Sequence, residues 1–155
     1  MLFRSQAGGI AMARRLRGES GRVFVFMSDG EFEEGQTWEA VQALAFYKLD
    51  NVVVVADVNG QQVDGLTKDV MNIEPIDARI EAFGGRAVEV DGHDVDALAD
   101  AIANTEHREK PLFVLAQTNT TEGIPYLDER KPQLHFVRFK SDEEMARYQA
   151  FLDQM

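Results

Sequence analysis

Four stretches of the chain are short, rich in β-branched residues and almost continuously apolar: RVFVFMS (22–28), NVVVVADV (51–58), GRAVEVDG (85–92) and PLFVLAQT (111–118). A strand with one wet face alternates apolar with polar residues. These do not, so they predict strands of a parallel sheet covered on both sides. Between them the period lengthens to that of a helix over 5–17, 34–48, 75–83 and 94–105, with a last such segment at 141–153. Strand alternating with helix predicts the α/β class, an open and mostly parallel sheet with helices on both faces.

Within these helices the apolar positions predict which side faces the sheet. Trp38, Val41, Leu44, Ala45 and Lys48 recur at helical spacing, and the first four form an inward stripe. Trp38 is therefore expected in the core or an interface. In VDGHDVDALADAI, Asp94 is the expected cap, Val95, Leu98, Ala99 and Ile102 are expected to face the sheet, and His93 belongs to the turn. Residues 119–140 have no clean period and carry two Pro and a Gly, which predicts a long loop of a kind that usually serves function or a partner. The whole, 1–155, is expected to be a single domain, because 155 residues with 45% hydrophobic content suffice for one core.

Charge narrows the partners. Sixteen basic against twenty-seven acidic side chains give a net charge of -11, which repels nucleic acid and anionic membrane surfaces. The chain has no Cys, which excludes disulfides and thiolate metal sites and suits a reducing cytoplasm. No apolar stretch approaches the roughly 18 residues of a membrane span, and the opening segment is broken by Arg and Gly. A soluble, cytoplasmic protein is the expectation.

The segment MSDGEFEEGQTWEA (27–40) places carboxylates where a strand gives way to a helix. Asp29 falls at the carboxyl end of a predicted parallel strand, the edge at which open α/β sheets bind ligands. Gly30 lets the backbone approach a ligand closely. Glu31, Glu33 and Glu34 complement the positive end of the following helix, an effect that needs no function. The next strand ends in ADVNGQQVDG, which brings Asp57, Asn59 and the carbonyls around Gly60 and Gln61 to the same edge. Asp29 and Asn59 are separated by about one strand-helix-strand crossover, so right-handed topology can set their oxygens side by side. Such hard ligands suit Mg2+ or Ca2+ and leave positions for phosphate oxygens. An Asn-Gly turn without a ligand is the competing reading of DVNGQQ.

The pair SDGEFEEGQTWEA and KLDNVVVVADVNGQQVDG resembles the thiamine diphosphate motif of the transketolase family, a Gly-Asp-Gly followed after one such crossover by an Asn-Gly. The resemblance runs from AGGIAMARRLRG (7–18) through FGGRAVEVDGHDVDAL (83–98) to PLFVLAQTNTTEG (111–123). It implies the thiamine-diphosphate-binding fold. It also implies that Asp29 and Asn59 give side-chain oxygens, and Gln61 a backbone carbonyl, to Mg2+ (or Ca2+). Gly30 would then offer backbone to the diphosphate, with Ser28 and Glu31 among the cofactor-binding residues. Ser28 stands where the motif usually has Gly. Glu34 and Glu39 look like the family's two Glu of a carboxylate network near the subunit interface, and His135 sits where a family His contacts cofactor or donor. The loop TTEGIPYLDERKPQLHFVRFK departs from the family's Lys-Gly-rich stretch and His-Gly.

In that family the cofactor lies between a diphosphate domain and a pyrimidine domain, and the activating Glu belongs to the second. This chain resembles the first, shortened at its amino end. The implied protein is a subunit or fragment of a transketolase-like transferase that needs a pyrimidine-binding, C-terminal subunit for two-carbon (ketol or acyl) transfer from a small-molecule substrate, in a hetero- or homo-oligomer. A non-catalytic or degenerate cofactor-binding or assembly module is the rival. A small Mg2+-dependent phosphotransfer domain is a third reading.

Overall fold

The computed structural model describes residues 3–103, 109–136 and 138–154. Its frame is a four-stranded sheet of β1 (Val23–Ser28), β2 (Val52–Val58), β5 (Arg86–Asp91) and β6 (Leu112–Gln117), ordered β1-β2-β6-β5. All three pairings are parallel, with Val25 opposite Val54, Val54 opposite Phe113 and Val88 opposite Val114. A hairpin of two short strands, β3 (Gln61–Gln62) and β4 (Gly65–Leu66), stands off the end of β2.

Helices α1 (Phe3–Leu16), α2 (Gly35–Phe46) and α4 (Ile76–Ala82) pack on one sheet face. There Ala11, Val41, Leu44 and Ile80 close over Val25, Met27, Val54, Ala56 and Phe113. Burying each large apolar side chain contributes about 1.5–3 kcal/mol, so this layer is the main source of stability. Helix α5 (Val95–Ala103) covers the other face, where Leu98, Ala101 and Ile102 meet Val53, Leu112 and Val114. A short helix α3 (Thr67–Val70) follows the hairpin. No described helix is long and apolar enough to cross a membrane.

Several expectations change. The central β2 and β6 are buried as predicted, but Phe24 and Phe26 of β1 are 56% and 73% exposed. Among the described residues α5 packs against β5 and β6 rather than this edge strand, and β5 at the other edge is also only half-buried. The sheet-facing stripe of α5 is Leu98, Ala101 and Ile102, whereas Val95 and Ala99 are exposed. Val95 is the first residue of the helix. The part of this helix predicted at 104–105 lies outside the described residues. Lys48 is not helical: it takes a left-handed φ of 52°, which turns the chain so that Leu49 is buried.

The described residues of 119–140 are loop apart from a 3-10 segment, Pro125–Arg130, and α6 (Asp142–Leu152) follows. Ser141 caps α6 by accepting the Glu144 N–H at 3.2 Å. The helix packs on the loop through Tyr126, Tyr148, Phe151 and Phe139, with ring centroids 5.3–5.9 Å apart. Arg130–Glu144 (2.5 Å) and Arg147–Glu129 (2.6 Å) flank this cluster.

Candidate functional site

The carboxyl ends of β1, β2 and β6 meet at one sheet edge, where Ser28 lies opposite Asp57 and Asp57 opposite Ala116. After β1 the chain tightens into a 3-10 turn, Asp29–Glu33, before α2 begins. The tightening follows from local bonding. Ser28 N–H donates to Glu31 Oε2 at 2.8 Å, and the Thr37 hydroxyl and the Trp38 indole donate to the carbonyls of Glu31 (2.5 Å) and Phe32 (2.8 Å). Part of the Glu31 carboxylate is therefore occupied in shaping the turn, and Trp38 is half-buried against Phe32 and Phe83.

Asp29 is 1% exposed. Its Oδ1 accepts the N–H of Gly30 at 2.7 Å and its Oδ2 the N–H of Gly60 at 2.6 Å. The second bond crosses from β2 to β1 and depends on the left-handed φ of 70° at Gly60, which turns that N–H back toward β1. Burial pushes the Asp29 carboxyl above its ordinary 3.8; the backbone N–H groups of Gly60, Gly30 and Asn59 oppose the shift and the neighbouring Asp57 adds to it.

Asn59 follows β2. Its Oδ1 accepts the N–H of Gln61 at 2.8 Å and its Nδ2 donates to Asp57 Oδ2 at 2.9 Å. Beside it opens a cleft of about 420 Å3 whose lining includes Ser28, Gly30, Glu31, Asn59, Gln61 and His135. Asp29, between the lining residues Ser28 and Gly30, is itself buried. A Cβ on Gly30 would stand 3.0 Å from Cβ of Gln62, so the glycine lets the hairpin close over the turn. The Gln61 Oε1 is buried without a hydrogen-bond partner.

The structure thus gathers Ser28, Asp29, Gly30, Glu31, Asn59, Gln61 and His135 at one edge, and it leaves Glu34 and Glu39 away from the cleft. Glu34 is the residue before α2, and Glu39 is exposed on a separate, mainly apolar groove of about 430 Å3 between α1 and α2. His135 is exposed on the loop wall, its ring edge-on to Phe136 at 5.1 Å. Sequence reasoning missed Thr118 and Thr120 from the β6 end. Thr118 donates its hydroxyl to Asp57 Oδ1, and Thr120 lines the cleft. Their only signal is strand order, which places β6 beside β2.

Residues 19–151 match the family model described as transketolase, thiamine diphosphate binding domain. A transketolase family protein of Sinorhizobium fredii is 40% identical over 88% of this chain and 50% of its own length. One subunit of the apulose-4-phosphate transketolase of Actinobacillus succinogenes is 36% identical over 88% of this chain and 49% of its own length. The chain therefore spans about half the length of the curated relatives it matches. In fold it is similar to the transketolase of Campylobacter jejuni, with a TM-score of 0.71 over 97% of this chain and 28% of that one at 19% identity.

Proposed function

The chain belongs to the transketolase family through its thiamine diphosphate binding domain, and we propose that it supplies the diphosphate and metal half of a split transketolase-like enzyme. The observation that carries this reading is the joining of two strand ends, with Gly60, next to Asn59, donating to the Asp29 carboxylate at 2.6 Å. That bond sets the two side chains expected to hold a cation on neighbouring strands.

The donor chemistry fits a hard divalent ion such as Mg2+ or Ca2+. Asp29 brings a carboxylate whose ionisation burial disfavours, Asn59 an amide oxygen, and Gln61 a backbone carbonyl. A cation here offsets the cost of keeping Asp29 charged. Gly30, whose missing Cβ keeps the turn tight under Gln62, presents backbone to a diphosphate, and the Ser28 side chain lines the same cleft. His135 lines the same cleft. Once bound, thiamine diphosphate supplies the carbanion chemistry of two-carbon transfer, and this chain's residues hold its charged end.

The Actinobacillus succinogenes relative is named as a single subunit of its transketolase. That supports a companion chain here, one that binds the pyrimidine and completes the enzyme. The test is Mg2+-dependent thiamine diphosphate binding, measured calorimetrically on the complex purified with its native partner. Asp29→Ala and Asn59→Ala should each abolish Mg2+-dependent binding. Wild-type affinity in both would overturn the assignment.

A further inference from the structure

We propose that Asp57 is a positioning residue: it fixes the amide of Asn59 so that the oxygen faces the cation site, and Thr118 holds it in place from the neighbouring strand. The inference rests on the reading above that Asn59 is a metal ligand. It assigns the work of orienting that ligand.

An Asn side chain has two ends of similar shape and opposite chemistry, and only the oxygen can bind a cation. Here both ends are constrained. Nδ2 lies 2.9 Å from Asp57 Oδ2, and an ionised carboxylate can only accept. Oδ1 lies 2.8 Å from Gln61 N, which can only donate. A flipped amide would lose both bonds, setting oxygen against carboxylate and NH2 against N–H. The observed orientation leaves Oδ1 with one lone pair beyond the Gln61 bond.

Asp57 is itself held. Its Oδ1 accepts the Thr118 hydroxyl, and the Thr118 N–H donates to the Val58 carbonyl at 3.0 Å, tying the ends of β6 and β2 together. The tie continues one strand further. Asn119 N–H donates to His93 Nε2 at 2.8 Å, and Gly92 N–H to the Gln117 carbonyl at 2.7 Å. A Cβ on Gly92 would sit 2.3 Å from Thr118 Cγ2, so the turn after β5 is pressed against the threonine. An unbroken chain of hydrogen bonds and contacts runs from that turn through Thr118 and Asp57 to Asn59.

Asp57 could also act through charge alone, and one substitution separates the two roles. Asp57→Asn removes the charge but keeps an oxygen for Asn59 Nδ2, while its own NH2 can donate to the Thr118 hydroxyl. Asp57→Ala removes both. Thr118→Val and Thr118→Ser form a second pair that loses or keeps the hydroxyl. Two readouts are taken on the full chain: the 15N–1H resonances of the Asn59 side-chain amide, and binding of Mn2+ with inorganic pyrophosphate followed by electron paramagnetic resonance. In Asp57→Ala the amide resonances should move toward those of a solvated Asn, and Mn2+ affinity should fall about 10- to 100-fold, the usual loss when a ligand's orienting partner is removed. Asp57→Asn should keep the wild-type amide signature and most of the affinity. Thr118→Val should shift the resonances as Asp57→Ala does, and Thr118→Ser should restore them.

The proposal is overturned if Asp57→Asn loses as much affinity as Asp57→Ala, or if the Asn59 amide is unmoved in Asp57→Ala. If Asp57→Ala does not fold, the Thr118 pair decides by the same resonances. If wild-type chain binds no Mn2+ with pyrophosphate, the metal reading fails for the isolated chain, and the amide resonances still decide the positioning role.

Discussion

The N–H of Gly60 reaches from the end of β2 to Asp29 Oδ2 at the end of β1. One buried carboxylate thereby joins two strand ends that lie a whole crossover apart in the chain. Asp29 should accordingly matter for local order as well as for binding. In Asp29→Ala the N–H groups of Gly30 and Gly60 lose their acceptor, at about 1–3 kcal/mol for a buried donor left unpaired. Amide exchange at 30 and 60 should accelerate. Asn59→Ala removes no such acceptor from β1, so it should lose cofactor binding with the Gly30 and Gly60 amides still protected. Equal protection loss in both variants would contradict this division of labour.

Gly30 tests the closeness of the hairpin. In Gly30→Ala the new Cβ meets the first side-chain carbon of Gln62 at 3.0 Å, an atom that cannot swing away without moving backbone. The expected cost is about 1–3 kcal/mol, as for other insertions of a methyl group into a packed contact. Thiamine diphosphate affinity should fall further than thermal stability does. A stable variant with unchanged affinity would show that the turn is not part of the diphosphate cradle.

Acid should release α6 before it disturbs the sheet. Glu144, held by the Lys140 N–H and then Arg130, and Glu129, held by Arg147, both titrate below their ordinary 4.5. Asp128, held by Lys131 and Thr121, titrates below its ordinary 3.8. A carboxyl depressed by folding contributes stability that is present above its unfolded value and lost as pH falls through the folded one. All three join α6 or shape the turn beneath it. Hydrogen exchange should therefore show 142–152 losing protection below about pH 4 while β2 and β6 remain protected. Simultaneous loss in all of them would refute the ordering.

Glu34 and Glu39 lie outside the cleft, yet the resemblance gives them a role near a subunit interface. Glu39 is exposed, so Glu39→Gln should change the stability of the chain by no more than about 0.5 kcal/mol, as is usual for surface substitutions, and Glu34→Gln, at a half-buried position, by little more. Activity of the assembled complex should drop. A large loss of stability with activity retained per folded molecule would assign both to the fold.

What was legible in the sequence follows from which signals are local. VVVVADV reads as a buried strand because only a covered central strand tolerates such a run, and it is central here. That the ends of β1 and β2 meet at one edge, with Gly60 donating to Asp29, was legible because one crossover separates them and its handedness is fixed. The bare face of β1 was not, since Phe24 and Phe26 look the same in sequence whether or not a helix covers them. Thr118 was hidden for a different reason: nothing local says that the sixth strand inserts next to the second. The β3–β4 hairpin, with two residues in each strand, is too short to carry a period.

The pure chain should bind the cofactor weakly and turn over no donor, because what it presents is one wall of a site. In the proposed reading Asp29, Asn59 and Gln61 would hold a cation and the charged end of a diphosphate, and nothing more of the cofactor. Among the described residues, no group of three or more His, Asp or Glu could hold a metal ion. The cleft beside Asn59 opens outward, with His135 exposed on its rim. The proposed split enzyme assigns ring burial and cofactor activation to a second surface. Association that completes it should bury more than about 1,000 Å2, the size at which protein interfaces become specific. Donor cleavage is assayed with the pure chain and again after adding a pyrimidine-domain subunit that co-purifies from the native source. Activity should appear only in the mixture, with a stoichiometric endpoint. Robust turnover by the pure chain, unchanged by the added subunit, would mean that these residues already form a complete active site.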